Sequence, residues 1–174
     1  MEEHNIEIPE ESELQKKVKK AARFAMGVFL LILMISYLIP SNITGSLIEG
    51  KKIINYQISA GNKTIIFEPK VYENLKTFYF QNQLSEVSFC LTGNTDGNIY
   101  LIDSFYVPET FFKTPITVSS LECKGSTVIS MHTHPFNDCL LSRQDIITYK
   151  EYIKRHPNSL GGVMCNTDRF AFYG

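Results

Sequence analysis

Two histidines one residue apart, His132 and His134, lie in the segment Met131-His132-Thr133-His134-Pro135, and Ser142-Arg143-Gln144-Asp145 follows a short gap later. Side chains alternate along a strand, so His132 and His134 project from one face and two imidazoles can reach a single ion. Ser142 and Asp145 are three apart, which places them on one side of the first turn of a helix. If that turn abuts the strand end, Asp145 completes a three-ligand set. Two nitrogens and one carboxylate oxygen suit Zn²⁺, and three protein ligands leave a fourth position for water, the pattern of a catalytic site. Each piece has a plainer reading. H-x-H alone is a weak signal. Ser142-x-x-Asp145 alone reads as a capping box that satisfies the first helical N–H groups. The two roles of the Ser/Asp pair can coexist, and the conjunction at fixed spacing favours the metal.

The elements that must position these residues follow from pattern and punctuation. Ser126–His134 reads as a strand ended by Pro135, and Ser142–Arg155 as a helix with Ile146, Tyr149 and Ile153 on one face, stopped at His156-Pro157. Upstream, the Ile-rich segments Lys52–Ser59 and Thr64–Phe67 read as strands joined at Gly61-Asn62. Pro69 opens a helix running towards Leu84, with Val71, Leu75, Phe78 and Tyr79 as its apolar stripe. Glu86–Thr92 and Asn98–Val107 read as strands around the turn residues Gly93–Gly97. Pro115–Leu121, Gly162–Asn166 and Phe170–Tyr173 complete the set. Residues 51–174 therefore read as one compact α/β domain.

The string His132-Thr133-His134-Pro135, six residues, Ser142, two residues, Asp145 resembles the signature of the JAMM (MPN+) zinc metalloproteases, H-[ST]-H-P, a six-residue gap, then S-x-x-D. The family also carries an upstream Glu in a context like E-x-x-G-x-L-x-G, and Ser85-Glu86 through Gly93 takes that place. Leu91 and Gly93 fit it, and Phe89 stands where a Gly is frequent, a departure that bears on local packing. Asp103–Pro108 is similar to the family's next strand. The resemblance spans roughly Lys51 to Gly174.

It implies an MPN/JAB-like fold, a mixed, curved β-sheet flanked by helices with a cytidine-deaminase-like core. It also implies that His132, His134 and Asp145 hold one Zn²⁺ with its water. Glu86 is then the general base that later protonates the leaving amine, and Ser142 hydrogen-bonds the tetrahedral oxyanion. Taken alone, Glu86 is an ordinary strand-end carboxylate. Glu49, Glu68, Glu73 and Glu109 are rivals for its role in less suitable contexts. Cys139, inside the gap, reads as packing rather than a ligand, and His4 and His156 as bystanders.

The implied substrate is a protein or peptide, including isopeptide conjugates of ubiquitin-like proteins or the C-termini of small sulfur-carrier relatives. The absence of a long second insertion suggests a broad or unusual substrate range. The alternative of another class is a non-catalytic, membrane-tethered MPN interaction module.

The N-terminal 20 residues form a charged tail, acidic up to Glu13 and then basic (Lys16, Lys17, Lys19, Lys20). Ala21–Ile39, closed by Pro40, reads as a transmembrane anchor about 28 Å long if Arg23 snorkels, with 41–50 as a linker. A buried core helix and a cleaved signal peptide are the other readings. The basic flank precedes the span, so the positive-inside rule puts the domain outside the cytoplasm. That side suits the sequons Asn42-Ile43-Thr44 and Asn62-Lys63-Thr64 but conflicts with cytoplasmic ubiquitin-like substrates. A net charge of -1 gives no nucleic-acid surface. The four cysteines contain no C-x-x-C, which excludes zinc-ribbon and thioredoxin readings; their even number permits disulfides without arguing for them.

Overall fold

The computed structural model describes residues 12–38 and 50–174. They belong to two units, one ending at Pro40 and the other beginning at Ser41. Helix α1 (Glu13–Leu38) makes up the first. It corrects the expectation of a membrane anchor, because no helix among the described residues is long and apolar enough to cross a membrane. The reason lies in the helix itself. Its N-terminal part carries Lys16, Lys17, Lys19, Lys20 and Arg23. The uncharged helical stretch 24–38 is only about 22 Å long at about 1.5 Å per residue, short of a hydrocarbon core of about 30 Å. A single-pass membrane location is therefore not supported by the described residues. Pro40, the Asn42 sequon, His4, Glu49 and all but Gly50 of the expected linker lie outside the described residues.

The second unit is built on strands β1 (Lys51–Lys52), β2 (Gln57–Ala60), β3 (Lys63–Phe67), β4 (Ser88–Asp96), β5 (Ile99–Tyr106), β6 (Thr110–Thr114), β7 (Thr117–Ser120), β8 (Thr127–Thr133), β9 (Leu160–Asn166) and β10 (Arg169–Tyr173), with helices α2 (Pro69–Gln81) and α3 (Arg143–Arg155). Eight strands form one mixed sheet in the order β1-β10-β9-β8-β4-β5-β3-β2, and β6–β7 is a separate hairpin. The two end strands of the sheet approach each other, and Lys51 Nζ donates to the Ser59 carbonyl at 2.9 Å. The expected α/β class, a mixed, curved β-sheet flanked by helices and preceded by a transmembrane helix, is thus corrected. The fold is mostly β, a nearly closed eight-stranded sheet with three helices in the described chain.

Local chemistry explains the departures. The expected strand Lys52–Ser59 is broken because Asn55 and Tyr56 take positive φ angles of 52° and 63° and turn the chain. Strand β4 runs past Gly93, where the ladder to β5 shifts register. A Cβ on Gly93 would collide with the Leu101 carbonyl oxygen, so only glycine lets the two strands close there.

The core is continuous through Ile65, Phe67, Leu75, Tyr79, Phe89, Leu91, Ile129 and Phe170. Phe89 fills the place where the resemblance raised a packing question, with its ring centroid 5.5 Å from that of Phe78 and 6.3 Å from that of Phe105. Helix α2 buries Val71, Tyr72, Leu75 and Tyr79. Helix α3 buries Tyr152 rather than Ile146, which stays exposed. All four cysteines are paired, Cys90 with Cys123 and Cys139 with Cys165.

Candidate metal centre

Strand β8 is interior to the sheet, antiparallel to β4 and parallel to β9. The chain leaves β8 at its carboxyl end, crosses through 134–142 and enters α3, so the end of β8 and the first turn of α3 meet at one edge of a β8–α3–β9 crossover. Parallel crossovers characteristically place ligands at this edge. His132 and Ser88 are register partners across β8 and β4, which carries Glu86, two residues before Ser88, towards His134.

Four of the five expected site residues come together, and the fifth, Ser142, adjoins them through Asp145. The Nε2 atoms of His132 and His134 lie 3.0 Å apart. His132 Nε2 is 3.3 Å from Asp145 Oδ1, and His134 Nε2 is 3.7 Å from Asp145 Oδ2 and 3.6 Å from Glu86 Oε1. Glu86, His132 and His134 form a group that could hold a metal ion, each offering a ligand atom within 4.8 Å of the others. Asp145 borders this group. Imidazole nitrogens beside carboxylate oxygens fit the donor preferences of a divalent transition metal.

The tautomer of His134 follows from its neighbour. Its Nδ1 lies 2.7 Å from the Asp138 carbonyl oxygen, which can only accept, so Nδ1 carries the proton and the neutral ring turns its Nε2 lone pair towards His132. A backbone carbonyl behind a metal-binding imidazole is a recurrent support. Burial, then the nearby His132, lower the pKa of His134 and favour that neutral form.

The carboxylates differ. Burial works against the charge on Asp145, but the hydrogen bond and charge of His132 and the two bonds with Ser142 outweigh it and hold the carboxyl well below its ordinary range. Burial pushes Glu86 up to about 7, and His132 opposes that shift only in part.

Ser142 caps α3 as the Ser-x-x-Asp pattern predicts. Its Oγ accepts from the Asp145 amide at 3.1 Å, and its own amide donates to Asp145 Oδ2 at 2.7 Å. The capping box occupies Oδ2 and leaves Oδ1 facing His132, so capping and metal binding are compatible. The Ser142 hydroxyl proton is not used by the cap.

The described rivals of Glu86, namely Glu68, Glu73 and Glu109, are not among the residues grouped with His132 and His134. Glu68 precedes α2, Glu73 pairs with Lys76 at 2.6 Å, and the Glu109 carbonyl accepts from the Leu121 amide. His156 lies 3.1 Å from Glu122 Oε1 at the far end of α3. Cys139 is held in a disulfide with Cys165 on β9 and has no thiol to offer an ion. That bond fastens the 134–142 connection to the strand beside β8.

Sequence reasoning missed the supports behind the candidate ligands. The Tyr79 hydroxyl, buried on α2, lies 2.9 Å from the His134 carbonyl and 2.7 Å from that of Cys165. Thr133 bonds to Val87. A polar Thr133 on the inward face of a buried strand was the available signal; nothing in a helical stripe marks one tyrosine as a brace. The β6–β7 hairpin rises beside the site, with Thr114 O accepting from the Glu86 amide at 2.8 Å. A cavity of about 540 Å³ opens over the cluster, lined by His132, Asp145 and Tyr149 and, from the hairpin side, by Ile116 and Ser119.

No model of a known protein family matches the chain, and no curated protein matches it.

Proposed function

We propose that the protein is a JAMM-type zinc metallopeptidase that hydrolyses a peptide or isopeptide bond. The observation that carries this reading is the convergence of His132, His134 and Asp145 with a separate, raised-pKa Glu86 beside them. His132, His134 and Asp145 would hold the ion. In the metal-free protein the neighbours of Asp145 hold it anionic, as suits a ligand, whereas burial raises the pKa of Glu86, as suits a group that takes up and returns a proton. Zinc, when bound, supplies a Lewis acid for the scissile carbonyl and lowers the pKa of a coordinated water towards about 7.

Glu86 accepts a proton from the attacking water and returns it to the departing amine. Its carboxylate is nine-tenths buried, and solvent competes little for that proton. The Ser142 hydroxyl keeps its oxygen on the Asp145 amide and turns its hydrogen towards the carbonyl oxygen as charge develops there. The neutral His134, fixed by the Asp138 carbonyl, presents a lone pair rather than a proton.

The cavity between α3 and the β6–β7 hairpin suits an extended polypeptide, and Ser119 and Thr148 offer uncharged hydroxyls along it. A conjugate of a ubiquitin-like protein is the substrate class this reading favours, and a nucleic acid is disfavoured by the net charge of -1.

The test is turnover of a mixture of quenched fluorescent peptides and isopeptides by the zinc-loaded full chain. Hydrolysis that is abolished by a chelator, restored by zinc and lost in Glu86→Gln supports the reading. Zinc binding with no hydrolysis of any member would instead favour the non-catalytic module.

A further inference from the structure

We infer that Thr133 is the positioning residue that sets Glu86 against the metal group, acting through the backbone of Val87. The inference rests on the peptidase reading for its effect on turnover, but not for its effect on geometry. In a regular antiparallel pair, every second pair of opposed residues exchanges two N–H···O bonds through the main chains, and Thr133 and Val87 occupy such a position. Here one half of that exchange is replaced. The Thr133 amide donates to the Val87 carbonyl at 3.0 Å, but the Val87 amide donates to the Thr133 Oγ1 at 2.9 Å, not to its carbonyl.

The substitution occurs where β8 ends. The next amide, that of His134, already donates to Met164 on β9 at 3.0 Å, and Pro135 follows, so the main chain is turning away from β4. A hydroxyl oxygen at the γ position supplies the acceptor that the ladder has lost. Thr133 is fully buried and Val87 nearly so, and no water can replace that bond without opening the core.

The consequence falls on Glu86. Its backbone is held on two sides, by its own amide on Thr114 O and by Val87 on Thr133. Thr133, between the two histidines, therefore points to the opposite side of the strand from them and holds the backbone beside Glu86, while the histidines face the group that could hold a metal. The strand that carries the two histidines thus also supplies the side chain that anchors the backbone beside Glu86.

The experiment uses the full chain as parent, Thr133→Val, Thr133→Ser, Glu86→Gln and the Thr133→Val/Glu86→Gln double variant. Zinc affinity is read by competition with a chelating dye, Val87 amide exchange by NMR, and turnover on the same peptide and isopeptide mixture. Thr133→Val is expected to lower kcat about 100-fold with KM little changed, the effect of misplacing a reacting group by about 1 Å. Its Val87 amide should lose its protection, and its zinc affinity should stay within about threefold, less than the roughly 10- to 100-fold loss expected of a ligand support. Thr133→Ser should restore the protection and most of kcat, and Thr133→Val should add almost nothing to Glu86→Gln. A Thr133→Val variant with intact Val87 protection, with parallel loss of zinc, or with a full additional loss on top of Glu86→Gln would overturn the inference. Failure of the parent to cleave any substrate would sink the peptidase reading alone; the positioning claim would then be judged by whether Val87 protection is lost in Thr133→Val and kept in Thr133→Ser.

Discussion

His132, Thr133 and His134 stand at the end of an interior strand of an eight-stranded sheet, whereas Ser142 and Asp145 stand on the first turn of a largely exposed helix. The strand wall is fixed by core packing, by ladder bonds to β4 and β9, and by Tyr79 behind His134. The helix wall is fixed by a local capping box and by the Cys139–Cys165 bond, which ties the 134–142 connection to β9. A convergent site therefore need not be uniformly rigid. Groups that must hold their angle are taken from the sheet, and the remaining carboxylate is delivered by a helix end that local bonds organise.

The largest effect is expected on the strand wall. Glu86→Gln should leave zinc bound but lower kcat about 100- to 10,000-fold, the range for loss of a general base; steady-state kinetics with metal analysis on the same sample checks both halves. On the helix wall, Ser142→Ala should lower kcat about 100-fold through the lost oxyanion donor. The same variant should cost about 1 kcal/mol of stability through the lost cap, measured by urea unfolding. Equal stability with full activity would mean that Ser142 neither caps nor donates.

Removing Cys139–Cys165 through a double serine variant should cost about 2–4 kcal/mol, as for other closed loops of this size. It should weaken zinc binding more than removal of Cys90–Cys123 does, because only the former fastens the connection between the two walls. Similar zinc affinities for the two double variants would erase the distinction between the walls.

The smallest effect concerns charge in the metal-free protein. The folded pKa of Glu86 is raised, so its contribution to stability is fully present below its unfolded value and is lost as pH rises through about 7. Asp145 works in the opposite sense: its lowered pKa stabilises the fold above the unfolded value, and that contribution disappears as pH falls. Glu86→Gln should therefore gain stability over the parent between about pH 4.5 and 8, by about 1–2 kcal/mol once residual solvent contact is allowed for. Denaturant midpoints across that range would check it, and a gap independent of pH would contradict it.

Much of the site's neighbourhood was legible because local rules govern it. The strand before Pro135 and the helix after Ser142 stand within about two residues of their expected places, since a proline stop and a capping box act on adjacent residues. The closure of the sheet was not legible. It depends on β1 and β2, far apart in the sheet order, being brought side by side, and no periodicity encodes that. Strand β6 was missed because Phe111 and Phe112 are both exposed and break the alternation that marks a half-buried strand. The expected membrane anchor is overturned for a countable reason: it requires Arg23 to snorkel, and the uncharged helical stretch beyond Arg23 is too short. The cysteine pairs could not be assigned because four cysteines allow three connectivities and spacing alone does not choose among them.

The central claim is a metal held jointly by the strand and the helix, and metal analysis of the purified full chain tests it most directly. About one zinc per chain is expected in the parent, with severe loss in both His134→Ala and Asp145→Asn and retention in Glu86→Gln. A parent that binds no zinc when it is supplied, or an Asp145→Asn variant that binds it as tightly as Glu86→Gln does, would contradict the account.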